Sequence, residues 1–399
     1  MTELIALMGS GETTPTMIKP HRGIFELVGA APAVLLDTPY GFQSNADDIS
    51  ARATGYFKAS VGRDIGVASW RRADLPAVEG ERALAALRSA DWIFSGPGSP
   101  TYALRNWRDS AIPGILEQTK VLVFASAAAL TLGSHAIPVY EIYKAGEDPR
   151  WDRGLDLFGR LTGVPAVIIP HFDNAEGGHH DTRYCYLGEG RLTLMEKWLP
   201  EESLIVGVDE HTAALVDLRS GTVKVVGVGG LTLRRGGQVA VHPTGSTLGL
   251  AELAGFSDSA AATAPPAFTP ADEDGAAGDG ATSLRDIVDG LDARFADGLA
   301  ANDAATCVEV VLELESAIED WSADTNVSPD HEHARSVLRG MVVRLGQLAT
   351  DAHEAVPALV TAVRDAREQA RAARDFAMAD ALRDALTGAG FAVQDTKIA

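Results

Sequence analysis

The chain has 399 residues, which is enough for two or three domains of ordinary size. Its 55 acidic residues outnumber 34 basic ones and give a net charge of −21, so the overall field repels nucleic acids and anionic membranes. Apolar residues make up 46% of the sequence, and no run approaches the roughly 20 apolar residues that a membrane span needs, so we expect a soluble protein.

The first residues and the cysteines indicate a cytoplasmic protein. Glu3 stands where a signal peptide carries basic residues, and residues 4–8 are typical of a first buried strand. Cys185 and Cys307 lie far apart, which is typical of reduced thiols and not of a disulfide framework.

Predicted strands and helices alternate along the first half of the chain. Apolar, β-branched runs predict strands at residues 4–8, 33–37, 65–68, 92–95, 121–124, 164–170 and 204–210, and apolar periodicity predicts helices at residues 45–60, 81–89, 102–109 and 192–198. This alternation predicts an α/β fold with a doubly wound, mostly parallel sheet. Residues 213–217, 222–228 and 231–234 then predict an antiparallel meander.

Residues 120–133 predict a strand, a sharp elbow at Ser126 and a helix. A serine on such an elbow has an exposed hydroxyl, and the amides that follow it are available to an oxyanion, so Ser126 is the candidate nucleophile. The alternative is that small residues after a strand only let the helix pack closely against the sheet.

Two further candidates lie at the ends of predicted strands. His171 comes after residues 164–170, and Glu210 is the last residue of the strand predicted at residues 204–210. A hydroxyl, a base and a carboxylate that fixes the tautomer of the base are the groups that nucleophilic catalysis requires. The glycine-rich turn at residues 96–99 predicts backbone amides for an anion or an oxyanion, or else an ordinary loop between strand and helix.

These motifs resemble those of the cyanophycinase and aspartyl dipeptidase family of serine peptidases, over residues 1 to about 245. The family's Gly-Gly-Gly-Asn turn is matched by residues 96–99, its Gly-x-Ser-Ala-Gly elbow by residues 124–128, its Pro-His-Phe segment by residues 170–172, and its Gly-Ile-Asp-Glu-x-Thr-Ala segment by residues 207–213. The resemblance implies a fold similar to class I glutamine amidotransferase domains and cleavage of a small, acidic, aspartyl-type peptide.

The resemblance also implies roles for individual residues. Ser126, His171 and Glu210 would form the catalytic triad, and the amides of Gly98 and Ala127 would bind the oxyanion. The predicted substrate contacts are Ser99, Asn174, His179, His180 and Arg183, of which the last three offer positive charge to an acidic group. Adjacent histidines are also found in metal sites, but they lack a helix-spaced acidic ligand here, and we expect neither a metal nor a cofactor.

The elbow departs from the family pattern. Phe124 and Ala128 replace the two glycines that avoid a Cβ clash in a strained turn. We therefore expect a relaxed or shifted elbow.

The C-terminal part has a different character. Residues 254–283 are rich in Ala, Pro, Gly, Ser, Thr and acidic residues, which predicts a flexible linker between an α/β domain at 1–253 and a helical bundle at 284–399. The bundle resembles the C-terminal helical part of cysteinyl-tRNA synthetases, most clearly over residues 366–386 and 390–396. Its 21 acidic residues against 11 basic ones disfavour a tRNA contact.

Two functions stay open. The chain is a serine hydrolase acting on a small peptide or amide, or it is an inactive or repurposed ligand-binding domain whose helical bundle docks a protein or tRNA. A homodimer is also left open.

Overall fold

The computed structural model describes residues 2–175, 180–256, 283–321 and 329–393. The chain divides into two units, of which one comprises Met1–Leu284 with Ile318–Glu332 and the other comprises Arg285–Ala317 with His333–Ala399. The predicted linker falls mainly on residues 257–282, which lie outside the described residues, so the domain boundaries at 253 and 284 stay predictions.

The elements of the described residues are numbered in chain order. The strands are β1 Leu4–Met8, β2 Ala33–Leu36, β3 Gly66–Ala68, β4 Trp92–Ser95, β5 Val121–Ala125, β6 His135–Ala136, β7 Asp152–Arg153, β8 Ala166–Ile169, β9 Leu204–Val208, β10 Thr212–Asp217, β11 Thr222–Gly227, β12 Gly230–Arg235, β13 Gln238–Pro243 and β14 Thr247–Gly249. The α-helices are α1 Ile18–Val28, α2 Ala46–Tyr56, α3 Ala77–Ser89, α4 Pro100–Trp107, α5 Ile112–Leu116, α6 Ser126–Thr131, α7 Val139–Tyr143, α8 Leu157–Thr162, α9 Gly188–Glu196, α10 Leu250–Ala254, α11 Leu284–Ala300, α12 Ala304–Trp321, α13 Pro329–Ala372 and α14 Phe376–Gly388.

A large mixed sheet forms the centre of the α/β part, in the order β14-β11-β10-β1-β5-β4-β2-β3. The strands from β1 to β3 in this order pair in parallel, whereas β10, β11 and β14 add antiparallel pairs at the other side. A second sheet has the order β13-β12-β9-β8, with β8 and β9 parallel. The architecture is therefore mixed α/β with a large central sheet, followed by a helical region.

The central strand β1 is buried on both faces of the large sheet. Ile5 and Leu7 belong to one hydrophobic cluster, whereas Leu4, Ala6 and Met8 belong to another, because successive side chains of a strand point to opposite faces. Helices α3, α4 and α6 contribute to the first cluster, and α1 and α2 contribute to the second. Coverage of both faces explains why the strands are continuous apolar runs and do not alternate.

The predicted three-strand meander is only partly present. Strands β10 and β11 pair, but β12 pairs with β9 and β13 in the second sheet. The chain leaves the first sheet at Gly227, where φ is 115° and a Cβ atom would lie 2.3 Å from the carbonyl oxygen of His211. The amides of Gly229 and Gly230 then donate to the side chains of Thr212 and Asp209. The prediction was wrong because these contacts direct the chain to a different sheet.

The helical region consists of α11 to α14 among the described residues. The apolar spacing at residues 337–345 and the helical pattern at residues 356–373 predict two separate helices, but both segments lie almost entirely within α13, which continues through Pro357. The i, i+3, i+4 spacing in residues 308–318 predicts an apolar face of α12 that includes Val308, Leu312 and Leu314. Leu314 is buried as predicted, but Val308 and Leu312 are exposed, and Val310 is buried as well. No helix in the described ranges is both long enough and apolar enough to cross a bilayer.

Candidate active site

Three strand ends supply the candidate catalytic side chains. Ser126 follows β5 directly, His171 follows β8 by one proline, and Glu210 lies two residues after β9. Strands β8 and β9 are parallel, so the loops after them start at one edge of the second sheet. Strand β5 belongs to the large sheet, and the site therefore joins residues from two sheets.

The elbow at Ser126 is strained and not relaxed. Ser126 has φ of 49°, in the left-handed region that a non-glycine residue rarely adopts, and it follows Ala125 in an extended conformation. The expectation of a relaxed elbow was therefore wrong. Phe124 and Ala128 are both fully buried in the same hydrophobic cluster, and the amide of Ala128 donates to the carbonyl of Gly96, so packing accommodates both side chains beside the elbow.

A continuous chain of hydrogen bonds joins the three candidates. Ser126 Oγ lies 2.9 Å from His171 Nε2, and His171 Nδ1 lies 2.7 Å from Glu210 Oε1. A carboxylate only accepts hydrogen bonds, so Nδ1 carries the proton and Nε2 is left to accept from the serine hydroxyl. Ser126 is 7% exposed and His171 is 3% exposed, so water does not compete freely for either group.

The carboxylate of Glu210 has a second partner. Asn174 is fully buried, and its side-chain amide donates to the same Oε1 atom at 3.0 Å. Burial opposes ionisation of Glu210, but the hydrogen bonds from His171 and Asn174 outweigh burial and lower the pKa of Glu210. The backbone amide of Glu210 also donates to Asp173 Oδ1 at 2.7 Å, which ties the loop after β9 to the loop after β8.

The neighbouring Asp209 points elsewhere. Its Oδ2 accepts from the amide of Gly230 at 2.8 Å, at the start of β12. Burial raises the pKa of Asp209 to about 6, and the nearby charge of Glu210 acts in the same direction. The two adjacent carboxyl groups thus have opposite pKa shifts and different partners.

A left-handed turn holds the backbone of the histidine loop. Tyr184, Cys185 and Tyr186 have φ of 61°, 55° and 67°. The amide of Cys185 donates to the carbonyl of His171 at 3.1 Å, and the amide of Tyr184 donates to the carbonyl of Phe172 at 3.0 Å. Each left-handed residue costs on the order of 1–2 kcal/mol, so this turn is retained against its local conformational preference.

A cavity of about 270 Å³ opens at the serine end of the hydrogen-bonded chain. Besides Ser126 and His171, its lining includes the predicted oxyanion residues Gly98 and Ala127. Cys185 also lines it, but burial raises the pKa of this thiol strongly, so the thiolate form that a cysteine nucleophile needs is disfavoured.

One wall of the cavity was missed by the sequence analysis. Tyr140, Tyr143 and Lys144, from α7 and the residue after it, line the cavity together with Tyr186. The Nζ atom of Lys144 lies 5.1 Å from the centre of the Tyr143 ring. Helix α7 is a single short turn with no recognisable motif, so the sequence carries no signal that these side chains reach the site.

The predicted substrate contacts occupy varied positions. The Ser99 hydroxyl accepts from the amide of Tyr102 and thereby caps α4, while Asn174 holds Glu210. His180 is exposed, with its ring centre 6.4 Å from that of Tyr143, and His179 lies outside the described residues.

Arg183, the other predicted contact, forms two hydrogen bonds with the carboxylate of Asp181, at 2.8 and 2.9 Å. This pairing lowers the pKa of Asp181 to about 2. Arg183 is not among the residues that line the cavity, whereas Lys144 is the cation that lines it within the described part of the chain.

Comparison with known proteins finds a solved peptidase whose fold covers a large part of this chain. No protein-family model matches the chain. A crystal structure of a peptidase from an acI-B1 Actinobacterium is similar at 18% identity and a TM-score of 0.51, over 62% of this chain and 97% of that protein. A peptidase E candidate from Listeria monocytogenes EGD-e is similar at 13% identity over 61% of this chain and 99% of that protein, but its TM-score of 0.39 is too low to support a shared fold. About 62% of the chain thus has the fold of a solved peptidase.

Proposed function

We propose that the α/β part of this chain is a serine hydrolase that cleaves a peptide or amide bond through Ser126, His171 and Glu210. The observation that carries the proposal is the hydrogen-bonded chain from Ser126 Oγ through the His171 ring to Glu210 Oε1, with a cavity at its serine end. The shared fold with a solved peptidase supports the same class of activity.

In the proposed reaction Ser126 Oγ attacks the carbonyl carbon of the substrate while His171 Nε2 takes the hydroxyl proton. The bond to the leaving amine breaks as His171 returns that proton to the amine nitrogen. Water then attacks the acyl-serine ester with His171 again acting as the base, which releases the acid product and restores Ser126.

Glu210 and the oxyanion donors act on charges that develop only during the reaction. The carboxylate of Glu210 stabilises the imidazolium of His171, and the lowered pKa of Glu210 keeps that charge present at neutral pH. Amides of Gly98 and Ala127 would face the oxyanion, and removal of one such donor in a serine hydrolase costs about 10²–10³ in turnover. Both residues line the cavity beside Ser126, which supports this role.

The resemblance to cyanophycinases and aspartyl dipeptidases extends the proposal to a small peptide with an acidic, aspartyl-type residue. Arg183 is neutralised by Asp181, so Lys144 is the better supported partner for a substrate carboxylate. The same resemblance implies a sheet like that of class I glutamine amidotransferases, and the separate resemblance of residues 284–399 implies a synthetase-like helical bundle. Both belong to the proposal, as does the cytoplasmic location expected from the first residues and the cysteines.

The test is covalent labelling by a fluorophosphonate probe, followed by mass spectrometry of the labelled peptide. We expect stoichiometric labelling of the unmodified protein at Ser126 and none in Ser126→Ala. A panel of Asp-Xaa and β-Asp dipeptides then tests the substrate class, with Lys144→Met expected to raise KM for these peptides while kcat changes little.

Three results would contradict different parts of the proposal. Labelling that survives Ser126→Ala would reject the assigned nucleophile. Neither labelling nor turnover of any peptide or amide would favour the binding-domain alternative. Turnover of other amides with inert aspartyl peptides would reject only the substrate class.

A further inference from the structure

A second groove adjoins the catalytic cavity. It has a volume of about 500 Å³, and its lining includes Phe42, Tyr102 and Arg105. Tyr140 lines both the groove and the catalytic cavity, so the two are neighbours with a shared wall. Nothing in the proposed chemistry at Ser126 uses this groove.

The groove presents aromatic surface to solvent. Phe42 is 51% exposed, and its ring centre lies 5.1 Å from that of Tyr102. The guanidinium carbon of Arg105 lies 5.0 Å from the centre of the Tyr102 ring. Large exposed aromatic side chains that pack on one another, and not on the core, are typical of surfaces that bind a ligand.

The loop that carries Phe42 is fixed to the turn that carries the predicted oxyanion donor. The carbonyl of Pro39 accepts from the amide of Ser99 at 2.8 Å. Gly98 has φ of 135°, and a Cβ atom there would lie 2.2 Å from the same carbonyl oxygen. The position of Phe42 relative to the catalytic cavity is therefore set by backbone contacts.

An ion pair with a buried aspartate and a helix contact strengthen this arrangement. Asp37, which is fully buried, accepts from Arg71 at 2.8 Å just before the Phe42 loop. On the other wall, the hydroxyl of Thr101 in α4 donates to the carboxylate of Glu141 in α7 at 3.2 Å. This contact ties the helix that carries Tyr102 to the helix that carries Tyr140.

We propose that this groove is a substrate subsite that binds an aromatic or bulky apolar side chain of a peptide, from a residue outside the two that flank the cleaved bond. The inference rests on the proposed function, because it takes the bond at Ser126 as the point of cleavage. The catalytic cavity is slightly smaller than the roughly 300 Å³ at the low end for ligand sites, so a substrate longer than a dipeptide extends beyond it. The adjoining groove, lined by the exposed Phe42 and the half-buried Tyr102, supplies the apolar surface for that extension.

The test measures binding and cleavage separately. Binding of tetrapeptides to Ser126→Ala is measured by isothermal titration calorimetry, with phenylalanine or alanine placed at each position beyond the two that flank the cleaved bond. At one such position we expect phenylalanine to bind about tenfold more tightly than alanine, the effect of roughly one favourable aromatic contact. Cleavage of the same peptides by the unmodified protein should show the same preference in kcat/KM.

Variants of Phe42 locate the effect. In Phe42→Ala the phenylalanine and alanine peptides should bind about equally tightly. In Phe42→Tyr the phenylalanine peptide should keep most of its advantage, because the aromatic ring is kept. Val78→Ala is the matched control, since Val78 is 72% exposed on α3 and lies outside both cavities. The preference should be unchanged in that variant.

The outcomes separate this proposal from the proposed function. Cleavage of dipeptides and tetrapeptides without any preference beyond the flanking residues would overturn the subsite and leave the hydrolase proposal intact. A preference that persists in Phe42→Ala would also overturn the subsite. Selective binding that Phe42→Ala abolishes, with no cleavage of any peptide, would reject the hydrolase proposal and retain the subsite.

Discussion

Glu210→Gln removes one charge from the candidate triad while it keeps the shape of the side chain. The distance of 2.7 Å between Glu210 Oε1 and His171 Nδ1 gives an attraction of about 6 kcal/mol between a carboxylate and an imidazolium at an effective dielectric constant of about 20. The imidazolium forms only after His171 takes the serine proton, so this attraction lowers the energy of the transition state more than that of the ground state.

Each 1.36 kcal/mol of barrier corresponds to a factor of ten in rate. The amide oxygen of glutamine retains part of the interaction, so we expect Glu210→Gln to slow the reaction by about 10⁴-fold, as when the carboxylate of a serine protease triad becomes an amide. The assay is the second-order rate of fluorophosphonate labelling, which needs the nucleophile and the base but no knowledge of the natural substrate.

Asp209→Asn is the matched control. Asp209 Oδ2 accepts from the amide of Gly230, and an asparagine oxygen at the same place can accept the same bond, so we expect a change of less than about threefold. The reasoning is refuted if the two variants label equally slowly while both remain folded, or if Asp209→Asn is the slower one.

Three further predictions concern pH, stability and the linker. The rate of fluorophosphonate labelling should rise with pH through a single ionisation at or somewhat above about 6.5, because His171 must be neutral to accept a proton. Glu210, with its lowered pKa, is already charged in this range. A labelling rate that falls as the pH rises would contradict the assigned base. Burial lowers the pKa of His21 to about 4, so between pH 6.5 and pH 4 the unfolded chain binds a proton on this residue that the folded chain does not, and the folded state loses stability as the pH falls. In chemical denaturation the free energy of unfolding should fall by about 3 kcal/mol more over this pH range in the unmodified protein than in His21→Gln. Equal losses in the two proteins would contradict the lowered pKa of His21. Limited proteolysis should cut within residues 254–283 and leave a folded fragment that ends near residue 255, whereas uniform resistance across this segment would show that it is packed.

Much of the α/β part could be predicted because its strands are buried on both faces. The predicted strands at residues 4–8 and 92–95 coincide with β1 and β4, and those at 33–37 and 121–124 differ from β2 and β5 by one residue. Such continuous apolar runs, bounded by glycine and polar residues, leave little ambiguity about where a strand ends. The predicted strand ends in turn indicated which polar side chains would lie together in a candidate site.

The pairing of strands could not be predicted from these runs. Strands β8 and β9 have the same apolar character as β5, yet they belong to a second sheet. The change of sheet between β11 and β12 depends on contacts of Gly229 and Gly230 with side chains that are 17 and 21 residues away in the sequence. Local patterns carry no information about such contacts.

The candidate site could be predicted only where side chains follow strands. Ser126, His171 and Glu210 satisfied that condition, and the structure brings them into one hydrogen-bonded chain. Tyr143 and Lys144 did not, because they reach the cavity from a short helix whose position depends on its packing. The roles assigned to the three triad residues stay a proposal until the labelling experiment is done.

The left-handed turn at Tyr184, Cys185 and Tyr186 has a consequence for how this protein could change over time. Glycine adopts the same conformation without steric cost, but Tyr184 and Cys185 are buried in the large hydrophobic cluster, so a glycine at either position would leave a cavity that costs more than the relieved strain. The same replacement at Cys185 or Tyr186 removes a side chain from the wall of the cavity. Selection for stability and selection for substrate binding would therefore both favour side chains at this turn, although the backbone conformation by itself favours glycine.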